Sequence, residues 1–479
     1  MTVQRYTGPR EAATDPTGPT GELTAWLAGF SLDDVPADVT DRAKDILLDG
    51  LGCALVGAKL PWSRIAVEAT TSFEGTGSSP VIGWNRAIAL PAAVLLNGTL
   101  IQGFELDDFH PLGPLHSASI VLPALIATVM ALGGVDGRSA LRAAIAGFEV
   151  GPRVGMALHG AQMLSRGWHS GAVFGTHAAA ATTGSLLGLD AARFEDALGL
   201  AGTQSGGLMA AQYEAMCKRM HHGFAARAGV SAALLASGGY TGIKRVFERD
   251  YGGFLSVFGE GHEPDASQIA GALGSRWETS RIALKPYAAM GALHGPLDGI
   301  FEILARGPLD PDQIESVEVS MSHAGYHHGW WEVERPLTPI GAQMHVGYAV
   351  AAAILDGAAM IEQFTPQQIE SDDIWALIPR IRARHERAFD ASKATRGASR
   401  VVVTMRDGRT LEANVKVPRT IASPLTRAEV VAKFAKLTAE VIADDRRDAI
   451  VERTLSLETL PDVGSLISLL TDDVGSAFT

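Results

Sequence analysis

From residue 105 to 117 the chain reads Glu-Leu-Asp-Asp-Phe-His-Pro-Leu-Gly-Pro-Leu-His-Ser. Three carboxylates (Glu105, Asp107, Asp108) and two imidazoles (His110, His116) thus lie between two strongly apolar segments. Burying an unpaired charge costs several kcal/mol, so ionised groups placed here must be paired or used. The same run also fits a solvated loop whose polar residues cap a helix. It fits a metal site less well, because Asp and His are good ligands but their spacing matches no ligand template. Gly167-Trp168-His169-Ser170-Gly171 puts a histidine at the mouth of a Gly/Ala-rich helix. Standing alone, it reads equally as an imidazole bonded to a carbonyl. In Met216-Cys217-Lys218-Arg219-Met220-His221-His222-Gly223, Lys218 and His222 are four apart and would share a helix face. The plainer reading has these cations favoured near a helix C-terminus ahead of Gly223. Lys285, in Leu284-Lys285-Pro286-Tyr287, falls where the sequence pattern changes, at the mouth of any cleft between two parts of the chain. Together these groups offer carboxylates, imidazoles and two lysines, the equipment for holding a small polycarboxylate and moving a proton at carbon.

The elements that must position them follow from periodicity. In 36–57, Val39, Ala43, Ile46, Leu47, Leu51, Ala54 and Leu55 recur at spacings of three and four, one apolar helix face. Segments 89–103, 120–134, 138–150, 171–187, 192–212 and 223–238 read as helices too, several of them apolar nearly all round and therefore interior. After about 283 the period changes. Val317, Val319 and Met321 alternate with polar residues, and alternation on both sides of Asp407-Gly408 marks a hairpin. Helical stretches at 291–306 and 338–357 lie between them, and from 425 onward the pattern is helical again. The expected fold is mainly α: a flexible arm over 1–20, a large all-helical domain over 21–282, an inserted smaller α+β domain over 283–420, and helices over 421–479 that return to the first domain.

Composition narrows the partners. Of 479 residues, 47% are hydrophobic and 19% charged, enough apolar surface to offset chain entropy and exclude a disordered chain. The net charge of −13 and the lack of a Lys/Arg run argue against a nucleic-acid surface. No apolar run is long enough to span a membrane. Two cysteines, Cys53 and Cys217, with no paired spacing, argue against a disulfide framework and fit a reducing compartment. The first residues lack the apolar core of a signal sequence, so a cytoplasmic location is expected. GxGxxG, Walker A, GxSxG and HExxH motifs are all missing.

These segments resemble the MmgE/PrpD family, which includes 2-methylcitrate dehydratase, iminodisuccinate epimerase and cis-aconitate decarboxylase. The resemblance runs from about 21 to 470. It is carried by Asp41–Gly50, Glu105–Ser119, Gly167–Gly171, Lys218–Arg227, Lys285-Pro286-Tyr287 and Glu334-Arg335-Pro336. It is strongest toward the fungal cis-aconitate decarboxylase branch. The resemblance implies a helical domain with a lid domain, a homodimer, and a site between the domains that needs no cofactor and no metal. It maps site positions onto Glu105, Asp107, Asp108, His116, His169, Lys218 and Lys285. The catalytic set expected is His116, His169, Lys218, Lys285, Asp107 and Asp108, with Glu105, His110, His222, Arg219 and Tyr287 binding substrate. The expected partner is a small tricarboxylate, and the expected reaction is loss of CO2 from cis-aconitate. Dehydration of a methylcitrate-like acid, epimerisation of a dicarboxylate and a non-catalytic role remain alternatives. Two departures stand out. Phe109 replaces a threonine common after the paired aspartates, with one extra residue before His116. Trp330-Trp331-Glu332-Val333-Glu334 stands where some decarboxylases carry a lid tyrosine.

Overall fold

The computed structural model describes residues 14–391 and 397–478. Most of the arm expected over 1–20 lies outside the described residues. Its end is not loose: the first helix starts at Pro19, and Thr20 is buried and bonded to Glu248. Ten helices lead through the first half of the chain. They are α1 (Pro19–Gly29), α2 (Ala37–Gly57), α3 (Pro61–Phe73), α4 (Leu90–Ile101), α5 (Ala118–Leu132), α6 (Gly137–Ala157), α7 (Gly160–Ser165), α8 (Ser170–Leu186), α9 (Ala191–Gly202) and α10 (His221–Ser237). Helix α8 is buried from Ser170 to Ser185 and packs against α5, α6, α9 and α10. Glycine permits the closest approaches. A Cβ at Gly229 of α10 would lie 2.2 Å from the Thr176 carbonyl oxygen of α8, and one at Gly223 would lie 2.2 Å from that of Leu95 in α4. Small side chains at these crossings let α10 wedge between α4 and α8, which sets the residues at its N-terminus against both.

The helix expected over 192–212 stops at Gly202; the polar and glycine residues that follow form turns, then a 3-10 turn at Met209–Gln212. A short hairpin, β1 (Thr76–Val81) with β2 (Arg86–Ile88), was not legible in the sequence. Its first strand, Thr-Gly-Ser-Ser-Pro-Val, has little strand propensity. It is held by its partner and by Asn97 of α4, whose side chain accepts from Ile82 N–H and donates to the Pro80 carbonyl.

Beyond residue 283 come α11 (His294–Leu304), β3 (Ile314–Met321), α12 (His323–Gly329), α13 (Pro339–Met344), α14 (Val346–Asp356), β4 (Ile381–His385), β5 (Ser399–Met405) and β6 (Thr410–Val415). The four strands form one sheet in the order β4-β3-β5-β6, parallel between β3 and β4 and antiparallel elsewhere. Val317 pairs with Ile381 on one side and Val403 on the other. Helices α11 and α14 pack on the sheet, where Val317, Val319, Val401 and Val403 are buried. The β5–β6 hairpin turns at Gly408 (φ 86°), as Asp407-Gly408 predicts. The edge strand β4, Ile-Arg-Ala-Arg-His, alternates apolar and cationic residues, too short a run to stand out from its neighbours in the sequence.

Helices α15 (Arg427–Thr438), α16 (Asp444–Leu455) and α17 (Gly464–Thr471) follow. Thr426 and Glu429 start α15 with a capping box, and α15 lies along α2, Phe434 filling the space left by Gly52. The chain is thus mainly helical with two small sheets. Among the described residues no single helix is long and apolar enough to cross a membrane.

Candidate active site

The acidic run occupies the connection from α4 to α5. It is pinned at Phe109, which exchanges two backbone hydrogen bonds of 2.9 Å with Ala283, two residues before Lys285. A second bridge, Trp168 with Leu208, brings the loop carrying His169 against the turn that leads to Lys218. Both junctions pair segments far apart in sequence, and they surround a cavity of about 810 Å³. Its wall includes Glu105, His116, His169, Lys218 and Lys285.

Glu105 is the centre of charge. Its backbone is left-handed (φ 55°), a conformation that costs a non-glycine residue about 1–3 kcal/mol and persists only where the surroundings enforce it. Its carboxylate is buried and accepts from Lys218 Nζ, from Lys285 Nζ at 2.9 Å and from Gln102 Nε2 at 2.7 Å, with Arg219 Nη1 at 3.6 Å. Three basic side chains therefore converge on one carboxylate. Burial lowers the Lys285 ammonium to about 8 and the Arg219 guanidinium to about 9. Burial, with Arg219 and Lys285 nearby, also lowers Lys218, while contact with Glu105 favours its charged form. The excess of positive groups over the single carboxylate suits an incoming polyanion. Lys218 and Arg219 do not occupy a helix C-terminus, nor does Lys218 share a helix face with His222. They lie in a 3-10 turn, Met216–Met220, just before α10 begins at His221. Cations there oppose the helix dipole; Glu105 outweighs it. Lys285 is not a solvated lysine at a cleft mouth either, being 1% exposed.

The remaining residues of the loop separate into three jobs. Asp107 accepts from His116 Nδ1 at 2.9 Å, which fixes the tautomer and leaves Nε2 available to the cavity. Burial raises the Asp107 carboxyl, but His116 and Lys285 outweigh it and the net shift is downward. Asp108 accepts from the backbone N–H groups of Ser117 (2.7 Å) and Ala118 (2.8 Å), capping α5. Burial and Asp107 alongside push its carboxyl up to about 7. His110 accepts from Gly113 N–H at Nδ1 (2.9 Å) and donates from Nε2 to Glu278 (3.1 Å). Its ring lines the cavity but is bonded on both nitrogens. The Asp and His side chains of the loop thus turn to separate partners. Among the described residues no three His, Cys, Asp or Glu side chains gather to hold a metal ion.

His169 is the residue before α8, where it makes no side-chain cap bond, and its ring reaches the cavity. Burial, with His221 and His116 near, keeps it well below the usual imidazole range. His222 is fully buried behind the cavity wall. Tyr287 points elsewhere: its hydroxyl donates to Asp298 at 2.7 Å and its ring stacks on Phe301. Of the expected set, the fold brings Glu105, His116, His169, Lys218 and Lys285 to one cavity, with His110 on its wall. It keeps Asp107, Arg219 and His222 just behind, uses Asp108 as a cap, and leaves Tyr287 outside.

Sequence reasoning missed several supports. Lys433 of α15 pairs with Asp49 at 2.7 Å and donates to the Leu106 carbonyl at 2.8 Å, bracing the acidic loop from behind. Gln343 donates to the carbonyls of Phe104 (2.7 Å) and Ala288 (3.0 Å) and accepts from Arg219. Arg281 and His328 also line the cavity. Arg281, four residues before Lys285, and His328, two before Trp330, stood near segments already singled out.

Two family models match: the MmgE/PrpD N-terminal domain over residues 21–267 and the MmgE/PrpD C-terminal domain over 287–457. The chain is 44% identical to a cis-aconitate decarboxylase-like protein, oryM, of Aspergillus oryzae, over 95% of this chain and 98% of the relative. It is 41% identical to a cis-aconitate decarboxylase of Aspergillus terreus, over 96% and 97%, and 26% identical to that of Homo sapiens, over 93% and 92%. With both models matched in order and relatives aligned nearly end to end, the chain belongs to the MmgE/PrpD family.

Proposed function

We propose that this chain is a carboxy-lyase that converts cis-aconitate to itaconate without a cofactor. The observation that carries the reading is the meeting, in one cavity, of the Glu105–Lys218–Lys285 cluster with two histidines, His116 and His169. Relatives aligned nearly end to end, the cis-aconitate decarboxylases of Aspergillus terreus and Homo sapiens, support the same substrate.

In this reading Lys218 and Lys285 bind substrate carboxylates, with Arg219 adding to the field. The carboxylate on the saturated carbon leaves as CO2. Its bonding pair becomes the new terminal double bond, and the pair of the old double bond moves toward the carbon beside another carboxylate. Negative charge grows there, against preorganised cations in a buried site, where such stabilisation is largest. His116 or His169 then delivers a proton to that carbon. Asp107 holds His116 in one tautomer, with Nε2 toward the cavity. Glu105 keeps both lysines aimed at the cavity before substrate arrives.

The proposed organisation is a helical body over 21–282 and 421–479 with a lid over 283–420 that closes on substrate. The protein acts as a cytoplasmic homodimer. The surface along α10 and the turns before it supports the dimer: Leu208, Tyr213, Met216, Phe224, Leu234 and Leu235 are all exposed there, more apolar side chains than a solvated helix face usually carries. Sedimentation at micromolar concentration tests it, and a monomer would overturn it. The reaction is tested by incubating pure protein with cis-aconitate, 2-methylcitrate and iminodisuccinate and following products by NMR. Itaconate and CO2 in equal amounts are expected. Loss of water from 2-methylcitrate without CO2, or inversion of iminodisuccinate alone, would overturn the decarboxylase reading.

A further inference from the structure

His222 is an unusual residue to bury. It is 0% exposed, and neither of its ring nitrogens has a hydrogen-bond partner. Leaving a buried polar atom unmatched forfeits its bonds to water with nothing in return. The fold makes specific room for this ring: a Cβ at Gly171, in the first turn of α8, would lie 2.1 Å from His222 Nε2. Any other residue at 171 would displace the imidazole. The ring sits in an array of four. Its centroid is 4.9 Å from that of His116 and 5.2 Å from that of His169, and His169 is 4.2 Å from His221. His116 and His169 line the cavity; His222 adjoins both rings and lies out of it. At these separations ring edges touch. The χ2 torsion of histidine is broad, so a modest rotation converts contact into an N–H···N bond. Nitrogens are free for such a bond: Nδ1 of His169, both nitrogens of His222 and Nδ1 of His221 are all unmatched.

Decarboxylation makes a demand that this array meets. Each turnover breaks one C–C bond, releases CO2 and puts one proton on carbon. The donor imidazolium is left as neutral imidazole and must regain a proton before the next cycle, while product or substrate fills the cavity. We propose that His222 is a proton relay between His116 and His169. The cavity histidine that is not the donor takes up a proton from water and passes one to one nitrogen of His222, and the other nitrogen of His222 releases one to the spent donor. No net charge is left on the bridge. His222 touches no substrate in this scheme; it acts through its two neighbours. Burial and the surrounding cationic and imidazole groups keep His222 and His169 far below the usual imidazole range, so each rests neutral, with one N–H and one acceptor. The proposal rests on the decarboxylase reading.

The test compares one turnover with many. His222→Phe keeps a ring of similar size and removes both nitrogens; His222→Gln keeps hydrogen-bonding atoms but cannot pass a proton. With enzyme in excess over cis-aconitate, the relay predicts single-turnover rates within about threefold of the unsubstituted protein. With substrate in excess, kcat should fall by about a hundredfold, the low end of what a placed proton-transfer group supplies. KM should change little, and added imidazole, as imidazolium, should restore kcat by protonating the cavity histidine directly. Two results would overturn the relay: both rates unchanged, or both falling together with no rescue by buffer. If His222→Phe fails to fold, His222→Gln decides by the same criteria. An unsubstituted protein that releases no CO2 from cis-aconitate would remove the reaction itself, and the relay with it. A protein that decarboxylates normally while the variants show no split removes only the relay.

Discussion

Removing the Lys285 side chain should separate the catalytic reading from a structural one. Nζ of Lys285 makes two contacts, to Glu105 Oε2 at 2.9 Å and to the Glu105 carbonyl at 3.2 Å, and the residue is 1% exposed. A hydrogen bond to a charged group contributes about 1.5–3 kcal/mol. Stripping a buried pair of one partner costs about 3–5 kcal/mol when the other is left alone. Glu105 is not left alone in Lys285→Ala, because Lys218, Gln102 and Arg219 remain. The lower figure therefore applies, and unfolding free energy should drop by about 1.5–3 kcal/mol. The activity loss should be larger. If Lys285 binds a carboxylate whose charge is spreading in the transition state, one desolvated charge contact is lost, about 3 kcal/mol, or roughly 150-fold in kcat/KM. The assay is the rate of itaconate formation by NMR, run beside denaturant unfolding of the same preparations. Lys285→Met, which keeps the stem, should regain some stability and none of the activity. A kinetically silent Lys285→Ala would refute the reasoning. So would activity that tracks the folded fraction, with kcat/KM normal for the folded molecules. Anion binding would then move to Arg219 and Arg281.

The same lysine sets an alkaline limit: burial lowers its ammonium to about 8, so in the free enzyme kcat/KM should fall as pH rises through that value. That limb should be missing from the residual activity of Lys285→Ala; a profile still falling near 8 in the variant would assign it elsewhere. His169→Ala should lower kcat by about a hundredfold or more, the range for a lost proton-transfer group, with unfolding free energy changed far less. A variant that keeps its full kcat would leave His116 as sole donor. Activity should survive dialysis against EDTA, because Asp107, Asp108 and His110 are each committed to a non-metal partner. Loss on chelation that one added metal restores would overturn the acid–base assignment.

Local rules carried the sequence reading a long way. Spacing of three and four located helices such as α2, α4, α8 and α10, because a helix that buries a face must place apolar residues on it. Alternation located β3 and the β5–β6 hairpin for the matching reason at period two, and Asp407-Gly408 marked the turn because it accepts positive φ. Residue chemistry identified the acidic run, His169, Lys218 and Lys285 as unusual, since charges among apolar segments need partners. What local rules could not supply was which partner each one has. Asp107 and Asp108 are adjacent and chemically identical, yet one orients His116 and the other caps α5; backbone direction at the start of α5 decides between them. Lys218 violates the helix-dipole preference because Glu105, 113 residues away, lies against it. Tyr287 sits two residues from Lys285 and points away, since Asp298 of α11 takes its hydroxyl. Lys433 and Gln343 drew no notice in the sequence, since a lone lysine or glutamine carries no pattern, and only the return of α15 to α2 and the seating of α13 bring them to the loop. The sequence by itself determined the inventory of charges and the elements that carry them. Tertiary structure decided which charges meet, because those contacts join residues whose separation along the chain has no periodicity to read.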